Sequence, residues 1–410
     1  MISSLKRDIL LCFMNDGYAL PNAIKMIDEK DKSVANLLTS LTNEGMLINR
    51  KITVQYANKK QTINYKSITQ KGVQWLIDNC SDFCSLLEHL PNPMPKFNLT
   101  QTSSNDTFDR YLKSISASII FQQFNIPTKE IKKRHITQGK KANFIDIVQK
   151  AKEQAQIYSS EENNNSSMYY HSRYLIELTK PTQEDVNQHK FGTQTGLLIN
   201  NTTPYMIYSS NINGLVFYDK GISRIKHSLL RFIKENHPCI KKSYINNSII
   251  FCKNTKELIE TFNANNKRIK NFDIDKEKLL YNSYEHIYAF PMQVRSMYLI
   301  NDLLTYNEQW KEKLIEKITM YDKQFTKRGN EVFELNSETG EAYIGITLDL
   351  VKLQYLYHAV YRPKDERTLT ENNSRTKKEY TIICYKWQKD IYKRLFEEDV
   401  RYYIVPDDII

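Results

Sequence analysis

The order of hydrophobic patterns in the amino-terminal part of this sequence constrains the fold more than any other feature. Three segments, at residues 3–15, 20–29 and 32–43, repeat apolar residues every three or four positions, which predicts amphipathic helices. Two further segments, at residues 46–55 and 61–68, alternate apolar and polar residues around a polar turn, which predicts a β-hairpin. Three helices followed by a hairpin is the order of a winged helix, so we predict that fold here.

The residues after the predicted hairpin support this interpretation. The segment Thr69-Gln-Lys-Gly72 resembles the strand-to-helix step that ends many bacterial winged helices, in which a Thr caps the last helix and a Gly follows. The same order of elements also occurs in winged helices that bind protein partners without touching DNA. The distribution of charge distinguishes between these two possibilities.

Charge in and after the predicted hairpin has a single sign. Between Gly45 and Ile77 the chain carries six basic residues and no acidic residue: Arg50, Lys51, Lys59, Lys60, Lys66 and Lys71. A Lys or Arg placed at a phosphate releases condensed counterions, so this distribution favours contact with duplex DNA. We predict that Arg50, Lys51, Lys59 and Lys60 contact the DNA.

The third predicted helix would present polar side chains to solvent. Its outward positions are Lys32, Ser33, Asn36, Thr39, Ser40 and Asn43. Short polar side chains at such positions can approach base edges in the major groove. We therefore predict Lys32, Ser33, Asn36, Thr39 and Ser40 as further DNA contacts, and an ordinary hydrophilic helix face is the alternative.

Proline and charge divide the chain after the predicted winged helix. Three prolines within residues 91–95, followed by a polar run, predict a linker at 91–107 after an amino-terminal domain at 1–90. A basic helical segment is predicted at 108–160. Its basic run, either a second phosphate track or a solvated face, contains Lys129, Lys132, Lys133, Arg134, Lys140 and Lys141.

Residues 165–410 are predicted to form an α/β domain, which makes the whole chain an α+β or α/β multidomain protein. Short strands expected at 174–178, 195–199, 205–208 and 215–218 precede a helix and a further strand. This succession is similar to the strand order of restriction-endonuclease cores. Later strands alternate with helices, and a strand-helix-strand unit implies a parallel pair.

A nuclease of that class would need particular residues on its central strands. An Asp on one strand, and a Glu or Asp two residues before a Lys on the next, would hold magnesium and polarise water. The candidates here are Asp219 directly beside Lys220, and Glu177 three residues before Lys180, and neither pair has that spacing. We therefore expect no catalytic residue, no cofactor and no metal, with a divergent metal-dependent nuclease as the alternative.

Several other classes of protein are disfavoured by the composition. No stretch approaches the roughly 20 apolar residues of a membrane span, and the amino terminus lacks a signal-peptide pattern, so we expect a cytoplasmic protein without membrane contact. The 11 glycines form no phosphate-binding loop motif, which argues against a nucleotide-binding enzyme. Six scattered cysteines indicate reduced thiols.

Several segments resemble one known family. They are Tyr169-Tyr170-His-Ser172-Arg173, Gln194-Thr-Gly196-Leu-Leu-Ile, Tyr205-Met-Ile-Tyr208 and Ile383-Cys384-Tyr-Lys-Trp387-Gln388-Lys389. Together with the predicted winged helix, they resemble the replication-relaxation-type proteins of plasmids and conjugative elements of low-GC Gram-positive bacteria. The resemblance implies a protein of a mobile genetic element that acts on plasmid DNA, and it supplies no catalytic residue.

These patterns lead to one expected function and two alternatives. We expect a sequence-specific binder of double-stranded DNA encoded on a plasmid or conjugative element, with replication initiation at origin repeats as its role. Such a protein would act as a homo-oligomer on its DNA and would contact host replication proteins. The alternatives are a nuclease or relaxosome component, and a winged-helix transcriptional regulator.

Overall fold

The computed structural model combines helices with several β-sheets, so the predicted α+β class is confirmed at this level. It describes residues 2–14, 17–28, 31–56, 59–80, 105–129, 167–172, 174–175, 194–210, 219–238, 240, 244–270, 284–328, 333–337, 340–361, 379–397, 399–407 and 409. The chain divides into two compact units. The first comprises Met1–Ile212, Arg224–Ile245 and Met292–Arg295, and the second comprises Asn213–Ser223, Asn246–Pro291 and Ser296–Ile410.

Three helical segments and one short strand begin the first unit. They are α1 (Ile2–Leu11), β1 (Tyr18–Ala19), α2 (Pro21–Ile24), which a 3₁₀ turn extends through Lys25–Ile27, and α3 (Asp31–Asn43). In α3 the three-to-four spacing puts Val34, Leu38 and Leu41 inside, and each is at most 3% exposed. Gly45 follows the helix with a φ of +75°, in the left-handed region that favours glycine.

A hairpin follows α3 where the alternating pattern predicts it. Strand β2 (Leu47–Tyr56) pairs antiparallel with β3 (Lys59–Ile68) in a continuous register from Leu47↔Ile68 to Tyr56↔Lys59. The short strand β1 pairs with the end of β3 through Tyr18↔Ser67. The resulting sheet has the strand order β1-β3-β2.

Helix α4 (Gln70–Asn79) begins directly after the hairpin, with Thr69 as its amino-terminal cap. Thr69 Oγ1 accepts a hydrogen bond from the Gly72 backbone N–H at 3.2 Å, so the cap predicted from the sequence is confirmed. The same hydroxyl donates to the carbonyl of Gly45 at 2.8 Å. A Cβ at residue 72 would lie 2.7 Å from the Met46 carbonyl oxygen, so glycine is what allows this close approach.

Helix α5 (Asn105–Gln122) contributes to the same hydrophobic core as the hairpin. The Phe108 ring lies 4.9 Å from the ring of Tyr18 and 5.2 Å from that of Tyr65, measured between centroids. The predicted domain boundary at residue 90 lies outside the described residues. The predicted linker also lies outside them, except for its last three residues, which begin α5.

The first unit also contains the short strand β4 (Thr128–Lys129) and an antiparallel meander. The meander consists of β5 (Met168–His171), β6 (Gln194–Asn200) and β7 (Thr203–Ser209), and most of helix α6 (Asp219–Asn236) belongs to the same unit. The predicted strand at 174–178 is wrong, because Met168–His171 is the segment that pairs with β6, and Tyr174 and Leu175 are helical. The predicted strand at 215–218 lies outside the described residues.

The second unit contains a parallel pair of strands and several helices. Strands β8 (Asn247–Cys252) and β9 (His286–Pro291) pair parallel, and α7 (Thr255–Lys270) lies between them in the sequence. Helices α8 (Val294–Tyr306) and α9 (Trp310–Tyr321) follow. The sequence prediction does not include α7.

A five-stranded sheet belongs to the second unit. Its strands, in spatial order, are β10 (Thr326–Lys327), β11 (Leu335–Ser337), β12 (Gly340–Ile344), β13 (Glu379–Tyr385) and β14 (Arg401–Val405). Helix α10 (Leu350–Tyr361) lies between β12 and β13 in the sequence, and α11 (Lys389–Phe396) lies between β13 and β14. Both of these strand pairs are parallel, so the predicted strand-helix-strand units are confirmed.

In the part of the chain that the structure describes, no helix has the length and hydropathy that a membrane crossing requires.

Candidate nucleic-acid interface

The exposed side of α3 carries four of the side chains that the sequence predicts as DNA contacts. Ser33, Asn36, Thr39 and Ser40 are exposed, whereas the apolar side of the helix faces the core. Lys32 lies in the first turn of α3, and its side chain falls outside what the structure describes. The described part of α3 therefore offers solvent a polar stripe without an acidic residue.

The register of the hairpin gives it two chemically different faces, because successive residues of a strand point to opposite sides. On one side, the part called here the polar face consists of Asn49, Lys51, Thr53, Gln55, Lys60, Thr62, Asn64 and Lys66, and the first pair on that side, Leu47 and Ile68, is buried. All residues of the polar face are exposed except Lys66, which is half-buried. The polar face thus contains three basic residues and no acidic residue over its described length.

The opposite side of the hairpin packs against the core. This side, called here the core face, consists of Ile48, Arg50, Ile52, Val54, Gln61, Ile63, Tyr65 and Ser67. Phe108 of α5 lies against Tyr65, and Ile52 and Val54 are buried, whereas Ile48 and Arg50 on the same side are exposed. Burial raises the pKa of the Tyr65 hydroxyl, and the positive charge of Arg50, its neighbour in the register, opposes that shift.

The four basic residues predicted on the hairpin do not share one side. Lys51 and Lys60 lie on the polar face, and Arg50 lies on the core face. Lys59 pairs with Tyr56 beside the turn, and its side chain falls outside the described residues. The alternation of side chains along a strand causes this separation, since neighbours in sequence point to opposite sides.

Lys66 connects the polar face to the end of α3. Its Nζ donates to Thr42 Oγ1 at 2.8 Å and to Asn49 Oδ1 at 2.7 Å. Burial lowers the pKa of this ammonium group from its usual value. Lys66 therefore holds the carboxy-terminal turn of α3 beside the first residues of β2, and it is a positioning residue rather than a free surface charge.

A second set of polar contacts surrounds Glu44, just after α3. Its carboxylate accepts from Lys6 Nζ at 2.8 Å and from Ser40 Oγ at 2.7 Å, and its backbone carbonyl accepts from Lys71 Nζ at 2.8 Å. The hydrogen bonds from Lys6 and Ser40 hold the pKa of the Glu44 carboxyl below its usual value. Lys71, like Lys66, therefore donates a hydrogen bond within the fold.

Sequence reasoning missed these two clusters as parts of the interface. The Ser40–Glu44 contact has a local signal, because residues four apart are neighbours on a helix surface. The contacts of Lys66 have no such signal, because Thr42, Asn49 and Lys66 are brought together by the turn after α3 and by the pairing of β2 with β3.

Other predicted residues lie elsewhere in the chain. Of the predicted second basic track, Lys129 is in β4 with its side chain undescribed, and Lys132, Lys133, Arg134, Lys140 and Lys141 lie outside the described residues. Glu177 and Lys180 also lie outside them. Asp219 and Lys220 begin helix α6, so the prediction that places them on a strand is wrong. Among the residues described, no group of three or more His, Cys, Asp or Glu is arranged to hold a metal ion.

A half-buried His and a buried Asp form a pair in the second unit. His286 Nδ1 lies 2.7 Å from Asp349 Oδ2. The other oxygen of this carboxylate accepts from the backbone N–H groups of Ile287 at 3.2 Å and Val351 at 3.0 Å. Asp349 therefore caps the first turn of α10 and ties it to β9, which accounts for its burial in structural terms.

Comparisons with protein-family models, with curated proteins and with solved structures found no match to this chain. The chemistry of the exposed surfaces therefore carries the functional argument.

Proposed function

We propose that this chain is a sequence-specific binder of double-stranded DNA whose amino-terminal core is a winged helix. The order α1-β1-α2-α3-β2-β3 and the sheet order β1-β3-β2 support this proposal. In proteins of the helix-turn-helix class, a recognition helix lies in the major groove and other elements contact the DNA backbone. In this chain α3 takes the position of the recognition helix, and the hairpin takes the position of the wing.

The main support for the proposal is that two polar surfaces of the first unit lie next to each other. The exposed stripe of α3 and the polar face of the hairpin are joined through Lys66 and Thr42. Both are polar, and their described residues include no acid. The Glu44 carboxylate, which accepts from Ser40 at the end of the α3 stripe, forms an ion pair with Lys6 at 2.8 Å. The phosphates of duplex DNA repel acidic residues and attract Lys, so such a surface fits the DNA backbone, with Lys51 and Lys60 as the phosphate contacts.

The proposed cellular role is replication initiation at origin repeats of a plasmid or conjugative element, in the cytoplasm. The support is the resemblance of the Tyr169–Arg173, Gln194–Ile199 and Ile383–Lys389 segments to replication-relaxation-type proteins. Repeated sites would let several copies of the chain bind side by side, so that occupancy depends on avidity. The second unit would then hold copies together and contact host replication proteins.

The salt dependence of DNA binding tests the interface. Affinity for a fluorescently labelled duplex is measured at several salt concentrations for the wild type and for the double variant Lys51→Ala/Lys60→Ala. Each lost phosphate contact removes about 0.9 from the slope of log affinity against log salt, so the double variant should lose about 1.8.

Arg50→Ala is the matched comparison, because Arg50 is next to Lys51 in sequence but lies on the core face. Its slope should stay near that of the wild type. Equal slopes for the wild type and the double variant would show that the polar face does not contact DNA. A smaller slope in Arg50→Ala alone would show that the contacts come from the side of the hairpin that carries Arg50.

A metal-dependent nuclease is a second candidate, and one observation favours it. The antiparallel strands β5, β6 and β7 precede helix α6, as in the order expected of a restriction-endonuclease-like core. The start of α6 at Asp219 and Lys220 counts against it, because those residues would have to lie on a strand. Incubating supercoiled plasmid with the protein and magnesium decides between the two candidates: nicking that Asp219→Ala abolishes would favour the nuclease.

A further inference from the structure

Two hydroxyl groups on the exposed side of α3, those of Thr39 and Ser40, donate their protons within the fold. Thr39 Oγ1 donates to the carbonyl of Ala35 at 3.0 Å, and Ser40 Oγ lies 2.7 Å from Glu44 Oε1. Hydrogen bonds from Lys6 and Ser40 hold the pKa of Glu44 below its usual value, so this carboxyl is ionised at neutral pH and can only accept. The Ser40 hydroxyl is therefore the donor in that pair.

This arrangement determines what each side chain can offer to a base. With its proton used, Ser40 presents oxygen lone pairs, which can accept from the amino group of adenine or cytosine in the major groove. Thr39 presents a lone pair and a methyl group, and a methyl group can contact the methyl group of thymine. Neither hydroxyl has a proton to donate to the O6 and N7 acceptors of guanine.

Asn36 supplies a different group on the same side of the helix. It is exposed and lies three residues before Thr39 and four before Ser40, so its side chain is a neighbour of both. Among the side chains that the structure describes, none bonds its amide. An Asn that can use both amide atoms pairs with N6 and N7 of adenine.

The composition of α3 points in the same direction. Arg and Lys are the residues that most often read guanine, through its O6 and N7 atoms. Helix α3 contains no Arg, and its one Lys, Lys32, lies a full turn before Asn36. The centre of the exposed stripe therefore lacks the usual reader of G·C pairs.

We infer that α3 reads A·T base pairs in the major groove. Asn36 pairs with adenine N6 and N7, and the Thr39 methyl group contacts a thymine methyl group. Asn36 and Thr39 specify the A·T pairs, because the amino group that the Ser40 oxygen can accept from is present on both adenine and cytosine. The inference rests on the proposed function, because it requires α3 to lie in the groove, and it goes further by naming the base pairs of the target.

Selection by the full-length protein from duplexes with a randomised central segment is the first test. An enriched site in which A·T pairs are required supports the inference. A G·C-rich site, or salt-dependent binding without any enriched sequence, overturns the inference and leaves DNA binding itself standing. No salt-dependent binding to any duplex overturns both the inference and the proposed function.

Atomic changes in the enriched duplex provide the second test. Replacing thymine by uracil removes one methyl group, and wild-type affinity should fall about fourfold, the value for one buried methyl group. Thr39→Ser keeps the hydroxyl but lacks the methyl group, so it should bind the thymine and uracil duplexes equally. A thymine preference that survives in Thr39→Ser overturns the assignment of Thr39.

Adenine is tested in the same way. Replacing it by 7-deazaadenine removes the N7 acceptor and should weaken wild-type binding, whereas Asn36→Ala should bind the natural site about tenfold more weakly and no longer respond to the replacement. Gln70→Ala, at an exposed position of α4, is the control and should keep the wild-type response. An Asn36→Ala variant that still distinguishes the two duplexes overturns the assignment of Asn36.

Discussion

The two faces of the β2–β3 hairpin are built from alternate residues of the same strands, yet they differ in almost every property. The core face buries Ile52 and Val54 and meets the Phe108 ring of α5. The polar face exposes amides, hydroxyls and two lysines, Lys51 and Lys60. Because side chains alternate along a strand, one short segment can stabilise the fold on one side and, in the proposed function, contact DNA on the other.

The separation of the two faces is incomplete, and Lys66 is one of the exceptions. Lys66 belongs to the polar face, but it is half-buried and bonds to Thr42 and Asn49. It therefore resembles a core-face residue in its contribution to the fold. Three substitutions with decreasing consequences for stability test this comparison.

Truncating Phe108 should show how far the first unit depends on the core face. Phe108 is 3% exposed and contacts the rings of Tyr18 and Tyr65, so Phe108→Ala should lower the free energy of unfolding by about 3–5 kcal/mol. Hydrogen exchange of the β2 and β3 amides is the suitable measurement, because a chain with two compact units need not unfold in one step.

Ile48→Ala is the matched control for this change. Ile48 also lies on the core face, but it is 43% exposed, so its truncation should change the free energy of unfolding by no more than about 0.5 kcal/mol. If the β2 and β3 amides lost similar protection from hydrogen exchange in the two variants, the packing of Phe108 against the core face would not contribute specifically to stability.

Much of this region could be predicted from the sequence, because the signals are local. The alternation at residues 46–55 and 61–68 indicates the hairpin, and the Thr69–Gly72 step indicates the cap of α4. Strand β1 escapes prediction because two residues are too few to show a period, and its pairing with β3 depends on contacts across the fold.

The candidate interface could be predicted only in part, for the same physical reason. The exposed residues of α3 follow from helical spacing, whereas the division of Arg50 from Lys51 needs the register that defines each face. In the meander, the strand expected at 174–178 is displaced to Met168–His171, because pairing with β6 selects the strand among neighbouring apolar segments. Pairing partners distant in sequence leave no periodic signal.

Replacing Lys66 should reveal the fold role of a polar-face residue. Lys66→Met keeps most of the side-chain volume and removes the donors to Thr42 and Asn49, so the free energy of unfolding should fall by about 1 kcal/mol. Lys60→Met, at an exposed position of the same face, should stay within about 0.5 kcal/mol of the wild type. Hydrogen exchange of β2 and β3 measures both, and equal values would make Lys66 an ordinary surface charge.

The smallest effect concerns the pH dependence of stability through Glu44. Its pKa is lowered in the folded chain from the usual 4.5, mainly by the hydrogen bond from Lys6, so the ionised carboxyl stabilises the fold above that value. This contribution should disappear as the pH falls through the lowered pKa. Glu44→Gln cannot ionise, so its melting temperature should lie below that of the wild type at pH 7 and approach it at acid pH. The control repeats this comparison in chains that carry Lys6→Met. The pH-dependent difference between Glu44 and Gln at position 44 should then be much smaller, because Lys6→Met removes the main cause of the lowered pKa. A gap between wild type and Glu44→Gln that stays constant from neutral to acid pH would show that Glu44 stabilises the fold without a contribution from its charge.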